Sequence, residues 1–127
     1  MPLPTLTPST SGSDSAPHPI QAKTSAEQGK APAGVYTQSH ATQLVLLGLE
    51  EAVGRGVIKD DEVTQEKLEG FLSGFGRRFY GLPEKSERNL VLERKGEKIP
   101  ASVRNGDGSV EVAISRAGTD VFSLRWE

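Results

Sequence analysis

Asp14 and His18 are the side chains in this sequence best suited to chemistry. They stand four residues apart in Gly12-Ser13-Asp14-Ser15-Ala16-Pro17-His18-Pro19. A carboxylate can take up a proton, and an imidazole can donate an N–H or exchange a proton near neutral pH, so the pair suits a hydrolytic site. Two prolines stiffen the backbone between and beyond them. Each ring fixes its own φ and pushes the residue before it, Ala16 or His18, away from helical geometry. A solvated Ser/Pro/Asp linker has the same composition, and on spacing alone the linker is the commoner origin of such a stretch.

The elements that would position these residues come from one domain of ordinary size, since the chain has 127 residues. Fifteen basic and 17 acidic residues leave a formal net charge of -2, which gives no reason to expect a nucleic-acid or anionic-membrane partner. The absence of cysteine removes disulfide scaffolds, zinc fingers, iron–sulfur clusters and thiol nucleophiles together. Only two histidines occur, His18 and His40, and they form neither an H-x-H nor an H-E-x-x-H pair. No apolar run approaches the roughly 20 residues that span a bilayer. The N-terminus lacks a basic n-region and an apolar h-region, so a cytoplasmic location is expected.

Residues 1 to about 34 are rich in Pro, Ser, Thr, Gly and Ala, and in isolation should be coil. Ser39 to Val53 then places leucines and other apolar residues at helical spacing, dense enough to predict a helix buried on most of its surface. Thr64 is a candidate cap for a second helix running to about Gly74, with Leu68, Phe71, Leu72 and Phe75 on its apolar face. Ser73 can start a further turn through Arg77 to Tyr80, stopped by Gly81 and Pro83. From Asn89 the period shifts toward two. Asn89 to Arg94, Val110 to Ser115 and Val121 to Trp126 read as strands, with Glu97 to Val103 a weaker extended stretch broken by Pro100. Asn105-Gly106-Asp107-Gly108 is a turn. The prediction is an α+β unit of two or three helices and a small antiparallel sheet behind an extended N-terminal segment.

Several pieces occur here in an order that resembles dihydroorotase, of the single-function bacterial and fungal type. They are Gly12 to Pro19, Ala31 to Gln38 (A-P-A-G-V-Y-T-Q), the leucine-rich helix, Phe71 to Pro83 (F-L-S-G-F-G-R-R-F-Y-G-L-P) and the closing Val110 to Trp126. The resemblance covers residues 12–127, with residues 1–11 unrelated or disordered. It implies membership of the metal-dependent amidohydrolases, whose fold is a (β/α)₈ barrel with its site at the C-terminal ends of the strands. It implies interconversion of dihydroorotate and N-carbamoyl-aspartate in pyrimidine biosynthesis. It also implies two zinc ions held by an H-x-H pair, a carboxylated lysine, two further histidines and an aspartate.

Asp14 matches that aspartate, and the resemblance makes it both a metal ligand and the carrier of a proton from the attacking hydroxide to the leaving nitrogen. His18 matches a residue that contacts the substrate carboxylate. Ala33, before Gly34, matches one that contacts substrate through its backbone, where a following glycine allows close approach.

The remaining zinc ligands of the family lie on strands that these residues do not include, and a whole barrel takes about 250 residues. Thr5 to Gly12 carries polar residues and proline where a buried parallel strand would be a Val/Ile/Leu run. The expectation is therefore the C-terminal portion of such an enzyme, inactive by itself and not retaining zinc alone. The alternative is a non-catalytic interaction module that forms a homo-oligomer or docks on a full-length homologue through its uncovered apolar face. Elsewhere, Asp60, Asp61 and Glu62 read as a favourable acidic start to the second helix. Arg77 and Arg78 read as a solvated face, Phe79 and Tyr80 as packing residues, and His40 as a surface or packing residue.

Overall fold

The computed structural model describes residues 9–24, 30 and 32–127, so residues 1–8 of the expected unrelated stretch lie outside the described residues. The leucine period forms the longest helix, α2, over Ala41–Gly54, entered through a 3-10 turn at Gln38–His40. It closes where Gly56, at φ +70°, donates its N–H to the Val53 carbonyl at 2.9 Å. The expected burial of most of its surface does not hold. Leu44 and Leu47 pack on the core but stay partly exposed, and the helix's buried side chain is Gln43. The reason is geometric: α2 lies along the final strand, and a single sheet layer covers one stripe of a helix.

Thr64 caps the next helix as expected, its hydroxyl accepting the Lys67 N–H at 3.3 Å. The helix runs as α3 (Gln65–Glu69), a π turn (Gly70–Gly74) and α4 (Phe75–Phe79). Two glycines, Gly70 and Gly74, poor helix formers, bound the π turn. A Cβ on buried Gly70 would come within 2.6 Å of the Phe75 ring, so the glycine lets that ring close on the helix backbone. Arg77 is not merely solvated: its Nε donates to the Pro83 carbonyl at 2.6 Å and ties down the chain beyond the helix. Phe79 and Tyr80 meet edge to face at 5.0 Å but are 81% and 74% exposed, so they do not pack as expected. Phe79 ends α4 and Tyr80 is its C-cap residue.

The expected small sheet is two antiparallel ladders. β1 (Leu90–Lys98) pairs with β4 (Asp120–Trp126), from Leu90 opposite Trp126 to Lys98 opposite Asp120, with a bulge between Glu93 and Glu97. Gly96 at φ +73° supplies the bulge conformation. β2 (Ser102–Arg104) pairs with β3 (Glu111–Ala113) across the Asn105–Gly108 turn. Pro100, with no N–H to give a ladder, separates β1 from β2. Ile99, Ile114 and Val121 form the core, with Tyr36, Leu44 and Leu47 packed against it. Ile99 prolongs the β1–β4 pairing: its N–H goes to the Thr119 carbonyl at 3.0 Å and its carbonyl accepts from Gly118 at 2.8 Å.

The segment expected to be coil contains one helical turn, α1 (Ile20–Thr24). Proline before a helix has a φ already suited to it, and the Ala22 N–H closes on the Pro19 carbonyl at 2.9 Å. A single bridge from Pro19 to Val112 fastens this turn to β3.

Candidate functional site

The site region is built from two backbone segments, 13–18 and 33–38, laid side by side. The Ala16 N–H donates to the Val35 carbonyl at 2.9 Å, and the Ser115 N–H donates to the Tyr36 carbonyl at 3.0 Å. The pair of segments is thus anchored to the end of β3. Thr37, at the N-cap position of the 3-10 turn, offers no side-chain cap. Ser15 supplies it from upstream: its hydroxyl oxygen accepts the N–H groups of Thr37 and Gln38, both at 3.1 Å. Two orphan donors at the start of the helix are satisfied in this way. Ser13 adds a hydroxyl bond to Gln38 Oε1 at 2.6 Å and accepts the Ser15 N–H on its own Oγ at 3.3 Å.

Asp14 sits at the crest of this small turn with φ +45°. Aspartate is among the few non-glycine residues that take left-handed geometry readily. Its carboxylate is exposed and makes no hydrogen bond or ion pair among the described residues. His18 is half-buried, with its ring lying on Gly34. Gly34 holds φ +76°, and a Cβ there would collide with the His18 ring and the Ala16 carbonyl oxygen. Ala33 is exposed beside it. The structure therefore brings His18 to the Ala33–Gly34 backbone, and it holds Asp14 on the same two-segment frame without a bond between Asp14 and His18.

Two residues of this frame escaped the sequence reading. Ser15 looked like linker composition, and its partners lie 22 and 23 positions away. Lys23 looked like one surface lysine among several, yet its Nζ bonds the carbonyls of both Ala33, at 2.5 Å, and Gly34. No local pattern signals either contact.

Beside the Asp14 turn lies an open groove of about 430 Å³ between Ser11–Ser13, the start of α2 and Leu72. Its wall includes Leu44 and Val45 as well as Gln38. Among the described residues, no three His, Cys, Asp or Glu side chains converge where a metal ion could be held. Asp14 is a single carboxylate donor, whereas zinc takes about four ligands. These residues alone do not fit the zinc centre that the resemblance implies. His40 lies apart from the region, buried, with Nδ1 2.9 Å from the Ser39 hydroxyl. The carboxylates that hydrogen bonds hold below their ordinary range belong to the helix–sheet frame instead. They are Glu51 beside Arg116, Glu93 beside Lys95 and Arg125, Asp107 beside Ser109, and Glu111 beside Ser102 and Arg104.

Comparison with known proteins points one way. A dihydroorotase of Neisseria meningitidis is 36% identical over 110 residues, which is 87% of this chain and 27% of that protein. The Saccharomyces cerevisiae dihydroorotase is 34% identical over 120 residues, 91% of this chain and 29% of that protein. The crystal structure of the S. cerevisiae enzyme in complex with 5-fluoroorotic acid superposes with a TM-score of 0.68 at 34% identity, covering 93% of this chain and 30% of that one. The Campylobacter jejuni dihydroorotase shares the fold, with a TM-score of 0.60 at 24% identity. No protein-family model matches the sequence. The chain spans between a quarter and a third of the length of these relatives, at their C-terminal portion.

Proposed function

We propose that this chain, a homologue of the C-terminal portion of dihydroorotases, supplies the corresponding part of a cyclic-amide hydrolase site. The reaction is the interconversion of N-carbamoyl-aspartate and dihydroorotate. In the opening direction water adds to the ring carbonyl. The Asp14 carboxylate takes the water's proton and delivers it to the ring nitrogen as the C–N bond breaks. His18 donates an N–H to the substrate carboxylate, and its seat on Gly34 limits how far the ring can swing. Ala33 offers backbone rather than side chain. The whole family fold, a (β/α)₈ barrel of a cytoplasmic enzyme, belongs to this same proposal.

One observation carries the reading. Two short motifs with about fifteen residues between them, around Asp14–His18 and Ala33–Gly34, meet in space around a glycine that has no room for a side chain. Among the described residues no three ligand side chains converge, and the expectation that follows is a chain that alone is inactive and does not retain zinc on dialysis.

The test is an assay of both directions with added zinc. The chain alone should give no turnover. Mixed with the preceding portion of the S. cerevisiae relative it should give turnover that Asp14→Asn abolishes and His18→Ala reduces. A mixture that forms a complex yet stays inert would sink the catalytic reading. It would favour a non-catalytic module that docks on a longer homologue, which the exposure of Phe79 and Tyr80 supports independently.

A further inference from the structure

We propose that Lys23 is the positioning residue of the Ala33–Gly34 backbone. The inference rests on the reading that this backbone and His18 contact substrate. An ammonium carries three donors and no acceptor. Lys23 spends two of them on consecutive carbonyls, Ala33 O at 2.5 Å and Gly34 O. In extended chain, successive residues face opposite ways. Gly34 at φ +76° turns the backbone so that one cation reaches both oxygens. Lys23 is itself held in place, because α1 is fastened by the Pro19–Val112 bridge and by the Ala22-to-Pro19 bond. The ammonium thus ties α1 to a backbone ten positions downstream, on the surface where His18 rests.

The arrangement has a chemical consequence. With both carbonyls engaged by a cation, the Ala33–Gly34 backbone has donors left to offer, and an N–H donor suits an anionic ligand. Lys23 does not need to touch substrate to produce this preference. It holds the acceptors away and leaves His18 seated.

The test compares the wild-type chain with Lys23→Met and Lys23→Arg by NMR. Without ligand, Lys23→Met should move the carbonyl resonances of Ala33 and Gly34 and leave those of β1 and β4 in place. Lys23→Arg should restore most of the shift. Titration with N-carbamoyl-L-aspartate should give a dissociation constant about tenfold higher in Lys23→Met, the scale of one charge-assisted hydrogen bond, with recovery in Lys23→Arg.

Unmoved carbonyls, or equal affinity in the wild type and Lys23→Met, would overturn the proposal. A wild-type chain whose Ala33, Gly34 and His18 ignore the ligand condemns the substrate reading, and the carbonyl shifts then decide the role of Lys23 separately. If Lys23→Met does not fold, the wild-type ammonium decides. Its protons should exchange with solvent more slowly than those of exposed Lys59, and equal exchange would dismiss the latch.

Discussion

Ser15 shows how much one hydroxyl can organise. Its one oxygen accepts two N–H groups at the 3-10 turn that leads into the long helix, while its own N–H closes on Ser13 Oγ around Asp14. Ser15→Ala should therefore destabilise the chain by about 1 kcal/mol, the usual scale of a lost cap, read as a lower urea midpoint at unchanged slope. Gly34 is the stricter residue. Gly34→Ala combines a left-handed backbone, worth about 1–2 kcal/mol against a side chain, with a collision at His18. The expected outcome is a loss of at least that size together with a displaced His18 imidazole resonance. A Gly34→Ala chain with native stability and an unmoved His18 ring would show that the two segments are not packed as described.

At the level of elements, the π turn invites a stabilising change. Gly74 has ordinary helical angles, φ -59° and ψ -45°, and an added Cβ would meet only the Glu69 carbonyl, at 3.6 Å. Gly74→Ala should raise stability by roughly 0.5–1 kcal/mol, through helix propensity and a less free unfolded chain. The surface carboxylates held by hydrogen bonds and ion pairs predict an acid response. Glu51 lies against Arg116 at 2.5 Å, and its carboxyl is held below the ordinary 4.5 chiefly by that bond. Within the sheets, Glu93 is lowered chiefly by Lys95 and then Arg125, and Glu111 chiefly by the Ser102 hydroxyl and then Arg104. A depressed folded-state value stabilises above the ordinary value and loses that contribution as pH falls through the lowered one. The thermal midpoint should be flat above about pH 5 and fall below it, and Glu51→Gln should blunt the fall. High salt should weaken the effect, since these groups are exposed.

The same elements show what a linear sequence can disclose. The leucine period of α2, the Thr64 cap and the alternation from Val121 to Trp126 are local patterns, and each formed close to its expected place. The turn at Ile20–Thr24 was hidden among prolines and polar residues, too short to show a period. The depth of α2 was misjudged because leucine density speaks of apolarity and not of how many layers are present to cover it. In the site region the Asp14 and His18 motif was legible as a pattern. The Ser15 cap and the Lys23 contacts were not, because each joins residues with no local relation.

The molecule as a whole rests on a small centre. Among the described residues the buried apolar side chains of the core are Ile99, Ile114 and Val121. Ile99 is 2% exposed and packs in one cluster with Ile114 and Val121. Ile99→Ala should cost about 2–5 kcal/mol, a large share of a small domain's stability, and should abolish a cooperative thermal transition near room temperature. Retention of a sharp transition would show that the load is shared more widely. The exposed Phe79, Tyr80, Leu82 and Trp126 predict concentration-dependent association, measurable by sedimentation.

A helix entrance sealed by a hydroxyl 23 positions upstream has a temporal consequence. α2 can nucleate from neighbours alone, but the 3-10 turn that leads into it gains its cap only when a distant stretch arrives. Ser15→Ala should accordingly accelerate unfolding and leave the refolding rate nearly untouched. The crest that carries Asp14 would then be among the last features to take shape each time the polypeptide collapses, and among the first to be lost.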